Sequence, residues 1–243
     1  MKRQRFAAII ALLLAGVFRT AAAEDAPGGA ARAPVRWFLA EEDPSDDGVV
    51  GPPAAIPDCA AWLARLDVEF RTAPIAPRQK RSGTYMCGSE QAVVYARGPG
   101  RIRYSPRPLV SCGLALAMAH FEHVVQQEAS AAFGRRVGRI EQGGTYNCRR
   151  MTRFQNLVSE HSYANAIDVR VFVLEDGRRI SVLRHFGPLA REPVTPQAKF
   201  LRRLARRLYD ERVFSVVLTP YWDALHRDHF HFDMARYRVD GTR

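Results

Sequence analysis

The sequence predicts an α+β domain in which helices pack on a mostly antiparallel sheet. Two observations carry this reading. Short runs of strand character follow one another, with turn residues such as Glu175-Asp176-Gly177 between them. Only two or three stretches hold a helical period, and they are segregated from the strands.

The chain opens with Lys2, Arg3 and Arg5, an apolar run over 6–17, and Ala21-Ala22-Ala23. That order of charge, short apolar core and small residues is a secretory signal peptide, too short to span a bilayer. Cleavage is expected after Ala23, and the lack of an Arg-Arg pair favours the general secretory route. Residues 24–57 are rich in Ala, Pro, Gly and Asp and show neither hydrophobic period, so they read as a flexible linker. The folded domain is then 58–243.

Asp58 is positioned as an N-cap for a helix starting at Cys59. Residues 68–71 alternate as a strand, 72–83 read as a loop, and 91–96 and 101–104 as short strands. Leu114, Ala117, Met118, Phe121, Val124 and Val125 mark a long helix over 109–133, stopped by Gly134. A strand over 136–141, a turn at Gly143-Gly144 and a possible strand over 145–149 follow. Residues 166–174 are strongly strand-like, with a return strand over 180–183. Phe200, Leu201, Leu204 and Leu208 line one face of a helix over 195–210. Arg202, Arg203, Arg206 and Arg207 occupy the other, read as a solvated face without function. The last strands are 214–218 and 230–233.

Cys59, Cys87, Cys112 and Cys148 make an even count in an exported chain, which reads as two disulfides. Three pairings are possible, and Cys59–Cys87 with Cys112–Cys148 is the one expected. A zinc-cysteine site is disfavoured because no Cys-x-x-Cys occurs. The formal charge is +11, of which the leader's Lys2, Arg3, Arg5 and Arg19 supply four. A basic exported domain suits an anionic partner such as a cell-wall polymer or membrane surface rather than nucleic acid. No later segment is apolar enough to cross a membrane.

The chemistry is concentrated in two stretches, 159–168 and 226–231. Residues two apart on a strand share a face, so His229 and His231 look into one pocket. Seven residues between His161 and Asp168 allow a turn that brings both to a common ion. Two imidazoles and one carboxylate suit zinc better than magnesium or calcium, with a water in the fourth position whose pKa the metal brings to about 7. Hydrolysis then needs a proton carrier. His229 is the candidate, with His226 second. Asp228 and Asp233 could fix imidazole tautomers or be ordinary acids. His120-Phe121-Glu122-His123 departs from the His-Glu-x-x-His pattern and reads as structural.

These residues resemble a known group. Ser159-x-His161-x-x-Ala164-x-Ala166-x-Asp168 is similar to the Ser-x-His-x-x-Gly-x-Ala-x-Asp signature of zinc D-Ala-D-Ala carboxypeptidases, and His229-x-His231 to the second motif of the lysostaphin, D-Ala-D-Ala-peptidase and hedgehog group. The run 226–231 resembles the penicillin-insensitive murein endopeptidases. More broadly, 59–237 resembles the bacterial extensin-like C-terminal domain family, through 144–149, 159–168 and the terminal His-x-His-Phe-Asp. The resemblance implies a hedgehog/DD-peptidase-like zinc fold, zinc held by His161, Asp168 and His231, and His229 assisting hydrolysis of peptidoglycan cross-links. Arg149 matches an arginine near the cleft of some relatives, where it could clamp a substrate carboxylate or be structural beside Cys148. Ala164 stands where the signature has Gly, which implies a different turn between His161 and Asp168. The alternatives are a wall-binding domain with a structural zinc, as the hedgehog branch implies, and a hydrolase of another peptide or amide.

Overall fold

The computed structural model describes residues 51–80 and 85–243. The expected signal segment and the 24–50 part of the expected linker lie outside the described residues. The remaining linker residues do not behave as one. Ile56 is buried, and its backbone N–H and C=O both pair with the Gln91 side-chain amide, at 2.7 and 2.9 Å. An apolar side chain flanked by prolines was enough to anchor this segment to the core.

The architecture is α+β. The main sheet has seven strands. Its path runs β12 (Val239–Gly241), β10 (Val216–Leu218), β11 (Phe230–Asp233), β8 (Ala166–Leu174), β7 (Val137–Gly144) and β5 (Arg103–Ser105), with β9 (Arg179–Ser181) also pairing with β8. Its pairs are antiparallel except β10 with β12 and β5 with β7. A three-stranded sheet holds β1 (Glu69–Thr72), β4 (Val93–Arg97) and β6 (Leu109–Val110), and a third pairs β2 (Ile75–Gln79) with β3 (Met86–Ser89). The expected loop over 72–83 therefore contains a strand. Residues 109 and 110 are strand rather than helix.

Helix α2 (Cys112–Phe133) is the centre of the core. Ser111 caps it, its Oγ accepting the Leu114 N–H, and Gly134 ends it at φ 60°. Leu114, Leu116, Met118, Phe121, Val124 and Val125 are fully buried. Helix α1 (Cys59–Arg65) lacks the expected cap, since Asp58 sits at φ 54° with no side-chain hydrogen bond to the helix. A four-residue helical turn, α3 (Val182–His185), ends the short return strand.

Helix α4 (Pro196–Asp210) buries the predicted apolar face. Its arginines are not simply solvated. Arg203 and Arg207 reach Glu128 of α2 at 2.7 and 2.9 Å, Arg206 pairs with Asp210 and Asp240, and Arg202 donates to the carbonyls of Phe186, Pro188 and Arg191. Arg203 and Arg207 tie the helix to α2 through the buried Glu128, and Arg202 and Arg206 tie it to other segments.

Both disulfides form, with the other pairing: Cys59–Cys112 and Cys87–Cys148. Cys59 opens α1, which packs on the start of α2, so Cys112 is its spatial neighbour. Cys87 on β3 lies against the segment that ends at Cys148. Each link closes a loop of more than fifty residues, worth about 4 kcal/mol in the chain-entropy picture.

Strand β8 contains a bulge. Its Val169 pairs with Gln142 and its Val171 with Glu141, so Arg170 is an extra residue. Ile167 and Val169 before it, and Phe172 and Leu174 after it, all enter the same core. Strict alternation could not bring odd and even positions to one face. Gly143, expected in a turn, is instead part of β7 beneath this bulge. A Cβ there would come 2.8 Å from Arg170 Nε.

Candidate metal centre

Two neighbouring strands create the site. In the antiparallel register of β8 and β11, Asp168 stands directly opposite His231. Phe230 and Phe232 on either side of His231 are fully buried, and Phe232 stacks on Phe214 with centroids 4.8 Å apart. Strand alternation then sends His231 to the opposite face. His161 comes from a single 3-10 turn, Glu160–Tyr163. Ala164 closes that turn at φ 54°, with its N–H bonded to the His161 carbonyl. Alanine thus adopts the left-handed conformation that the glycine of the resembled signature would take freely.

Three side chains converge. Asp168 Oδ1 lies 3.1 Å from His231 Nδ1 and 3.3 Å from His161 Nε2, and the two ring nitrogens are 3.3 Å apart. A tetrahedral ion with bonds of about 2.0–2.1 Å separates its ligands by about 3.3 Å. The triangle therefore has the edge lengths of one face of such a site, and among the described residues it is the group that could hold a metal.

The outer nitrogens each face an acceptor. His161 Nδ1 faces the Thr145 carbonyl at 3.3 Å, and His231 Nε2 faces Asp233 Oδ2 at 2.8 Å. With an ion bound between the rings, each of these acceptors would take the ring N–H of a neutral imidazole and each inward nitrogen would present its lone pair. Two lone pairs beside a carboxylate oxygen call for a cation among them. Burial lowers the His231 pKa, but Asp168 and Asp233 outweigh it and raise it to about 10. Burial likewise raises Asp168, and the hydrogen bonds from His161 and His231 more than reverse this, holding it well below the usual carboxylate range. The cluster holds positive charge, as a proton or as a metal ion.

The other two histidines adjoin the triangle. His229 Nδ1 is 2.8 Å from Asp228 Oδ1, and its Nε2 lies 3.6 Å from Asp168 Oδ1. His226 Nδ1 is 2.7 Å from Asp223 Oδ1, and its ring centre is 5.2 Å from that of His229 and 5.9 Å from that of His231. Asp228 and Asp233 are therefore both histidine partners. All four imidazoles lie close together, and His226, His229 and His231 are only partly buried.

Arg149 is placed by its backbone rather than by its charge. Its carbonyl accepts the Ser159 N–H, its N–H donates to Ser162 Oγ, and its guanidinium donates to the Arg150 carbonyl. No strand covers 145–149. This segment runs along the 3-10 turn, with the Asn147 N–H bonded to the His161 carbonyl, and it delivers Thr145. His120 and His123 lie elsewhere, near Glu211 and Gln127.

Sequence reasoning missed several supporting residues. Asn165 joins three elements: its Oδ1 accepts from Ser111 Oγ at the start of α2, its Nδ2 donates to Glu160, and its carbonyl accepts the Met234 N–H. Burial and the neighbouring Asp233 push Glu160 up to about 8. The segment 159–168 contains Asn165 and Glu160, so the signal was present, but their partners are remote in sequence. A cavity of about 720 Å³ lies beside Ile56, Met86, Tyr163 and Tyr237 and has none of the five His/Asp site residues in its wall.

No curated protein and no solved structure matches the chain. A family profile does, over residues 57–242, a span that includes every residue of the cluster. The chain belongs to the family described as extensin-like protein C-terminus.

Proposed function

We propose that this chain is an exported zinc metallopeptidase that hydrolyses the peptide cross-links of peptidoglycan, on the zinc fold of the D-Ala-D-Ala carboxypeptidases, murein endopeptidases and hedgehog domain. The ligand triangle of His161, Asp168 and His231, with edges of 3.1–3.3 Å, carries the reading. Those three groups would hold the ion and leave room for a water. Zinc bound there supplies a Lewis acid for the substrate carbonyl and acidifies the attacking water.

His229 is the proton carrier. With Nδ1 committed to Asp228, its Nε2 is the acceptor, at the edge of the triangle. The proton leaves the water oxygen, rests on Nε2 and passes to the nitrogen of the departing amine. His226 supports it. Arg149 clamps a substrate carboxylate, and the chain's excess of positive charge suits an anionic wall polymer. Two disulfides fit a periplasmic or secreted protein. Among the described residues no helix is long and apolar enough to cross a membrane.

The test is incubation of the purified mature protein with cell-wall sacculi, with and without a chelator. Release of muropeptides that stops with chelator, and in His231→Ala and His229→Ala, supports the reading. Binding to sacculi without release would assign the chain to wall binding with a structural zinc.

A further inference from the structure

Asp223 is a buried carboxylate that the hydrolytic reading does not use. Its side chain is 3% exposed. One oxygen, Oδ1, accepts the N–H of Leu225 at 2.8 Å, the N–H of His226 at 3.1 Å and faces His226 Nδ1 at 2.7 Å. The same atom therefore shapes the 3-10 turn Ala224–His226 and grips the ring that the turn carries. The other oxygen, Oδ2, has no hydrogen bond, but Arg153 Nε stands 3.1 Å away as its counter-charge. Arg153 belongs to the segment between Arg150 and Val158, which bridge each other. Two loops remote in sequence thus meet at Asp223.

We propose that Asp223, held by Arg153, is a positioning residue that fixes His226 in the Nδ1–H tautomer and leaves Nε2 as the lone-pair nitrogen beside the histidine cluster. This rests on the proposed hydrolytic function for its consequence, but not for its geometry.

The physical case is the donor count. A carboxylate oxygen can only accept, so a ring nitrogen 2.7 Å from it must carry the hydrogen. A neutral imidazole has one N–H, so Nε2 is then an acceptor. A ring with both the backbone N–H and Nδ1 of its own residue tied to one oxygen has little freedom to turn over. Arg153 stands 3.1 Å from the second oxygen as a counter-charge at a buried position, where an uncompensated charge would be costly. Asp233 and Thr145 hold the ligand rings in the same way, so each outward nitrogen of this cluster has its own acceptor.

Asp223→Asn tests the assignment. The asparagine oxygen can still accept from the turn, but its amide can also donate to Nδ1, so the tautomer is no longer imposed. Nitrogen-15 chemical shifts of His226, measured on folded protein with and without added zinc, should show a single Nδ1–H tautomer in the parent and a mixture in Asp223→Asn. Zinc content should not change. In the sacculus assay kcat should fall by about tenfold or more with KM unchanged, the size expected for loss of such a partner, and the same substitution should cost nothing further in a His226→Ala background. Arg153→Gln leaves the turn intact and should shift the tautomer the same way by less, which keeps the test open if Asp223→Asn does not fold. A single Nδ1–H tautomer in both variants would overturn the assignment. The nitrogen shifts decide it even if the parent protein releases no muropeptides, an outcome that would sink the hydrolytic reading alone.

Discussion

His231 and Asp168 face each other across β11 and β8, register partners whose Nδ1 and Oδ1 atoms lie 3.1 Å apart. Their closeness is a property of the sheet, since both are fixed by backbone pairing and by the buried aromatics beneath β11. His161 reaches the same point from a single turn held by Asn165 and by the 145–149 segment. The site therefore needs the sheet pair and the turn together.

Metal binding should separate the three ligands from their neighbours. Purified protein should carry about one zinc per chain, and Asp168→Asn, His161→Ala and His231→Ala should each lose it. His229→Ala should keep it, because its nearest approach to the triangle is 3.6 Å, to Asp168. Asp233→Asn should retain the fold and weaken zinc affinity by about 10–100-fold, the effect of removing an outer partner. Competition against a chromogenic chelator measures all five. Full zinc content in Asp168→Asn would refute the assignment of the triangle.

Stability should fall as pH rises through neutrality. Burial pushes Glu122, on α2, up to about 7, against hydrogen bonds from Tyr95, Tyr104 and the Gly98 N–H. The folded chain therefore keeps this proton where the unfolded chain, with an ordinary carboxyl, has released it. The sign follows from linkage: the stabilisation is complete below about 4.5, and it is lost as pH rises through about 7. Denaturant midpoints between pH 5 and 8 should decline in the parent. In Glu122→Gln the slope should flatten by up to one proton, leaving the similar contribution of Glu160. An unchanged slope would remove Glu122 as its source.

The disulfide pairing can be read directly. Peptide mapping without reduction should recover Cys59 joined to Cys112 and Cys87 to Cys148. Replacing Cys59 and Cys112 together by serine should cost about 4 kcal/mol in chemical denaturation. A cross-linked peptide containing Cys59 and Cys87 would restore the pairing expected from sequence order.

Ala164 should tolerate glycine and reject valine. At φ 54° a Cβ costs about 1 kcal/mol, and glycine's greater freedom in the unfolded chain costs nearly as much. Ala164→Gly should therefore leave the melting temperature close to that of the parent, with zinc affinity intact. Ala164→Val puts a branched side chain at the same buried, left-handed position and should lower both. Equal melting temperatures for the two variants would contradict the strain argument.

Which parts of this were legible in the sequence follows from their range. Asp168 and His231 could be seen because each lies in a short motif whose spacing alone fixes its face. The α4 apolar stripe and the hairpin at Gly177 were equally local. The cysteine pairing depended on which helix packs where, which nearest-neighbour reasoning along the chain cannot supply. Arg203 and Arg207 of α4 looked solvated because Glu128, their partner, sits more than seventy residues earlier. Asp223 carried no signal, since an acid three residues before a histidine is commonplace until the turn and Arg153 are in view. Ile56 was hidden by the composition around it.

The extra residue at Arg170 has a longer-range consequence. It divides one strand into two lengths that are out of phase, one carrying the carboxylate and the other filling the interior. A regular, unbulged strand carrying the same sequence would force a choice between them. Aligning Phe172 and Leu174 with the interior would rotate Asp168 away from its partner, and keeping Asp168 in place would turn the two apolar side chains outward. The bulge acts as a phase shift that lets the length carrying the carboxylate and the length filling the interior each keep its proper face.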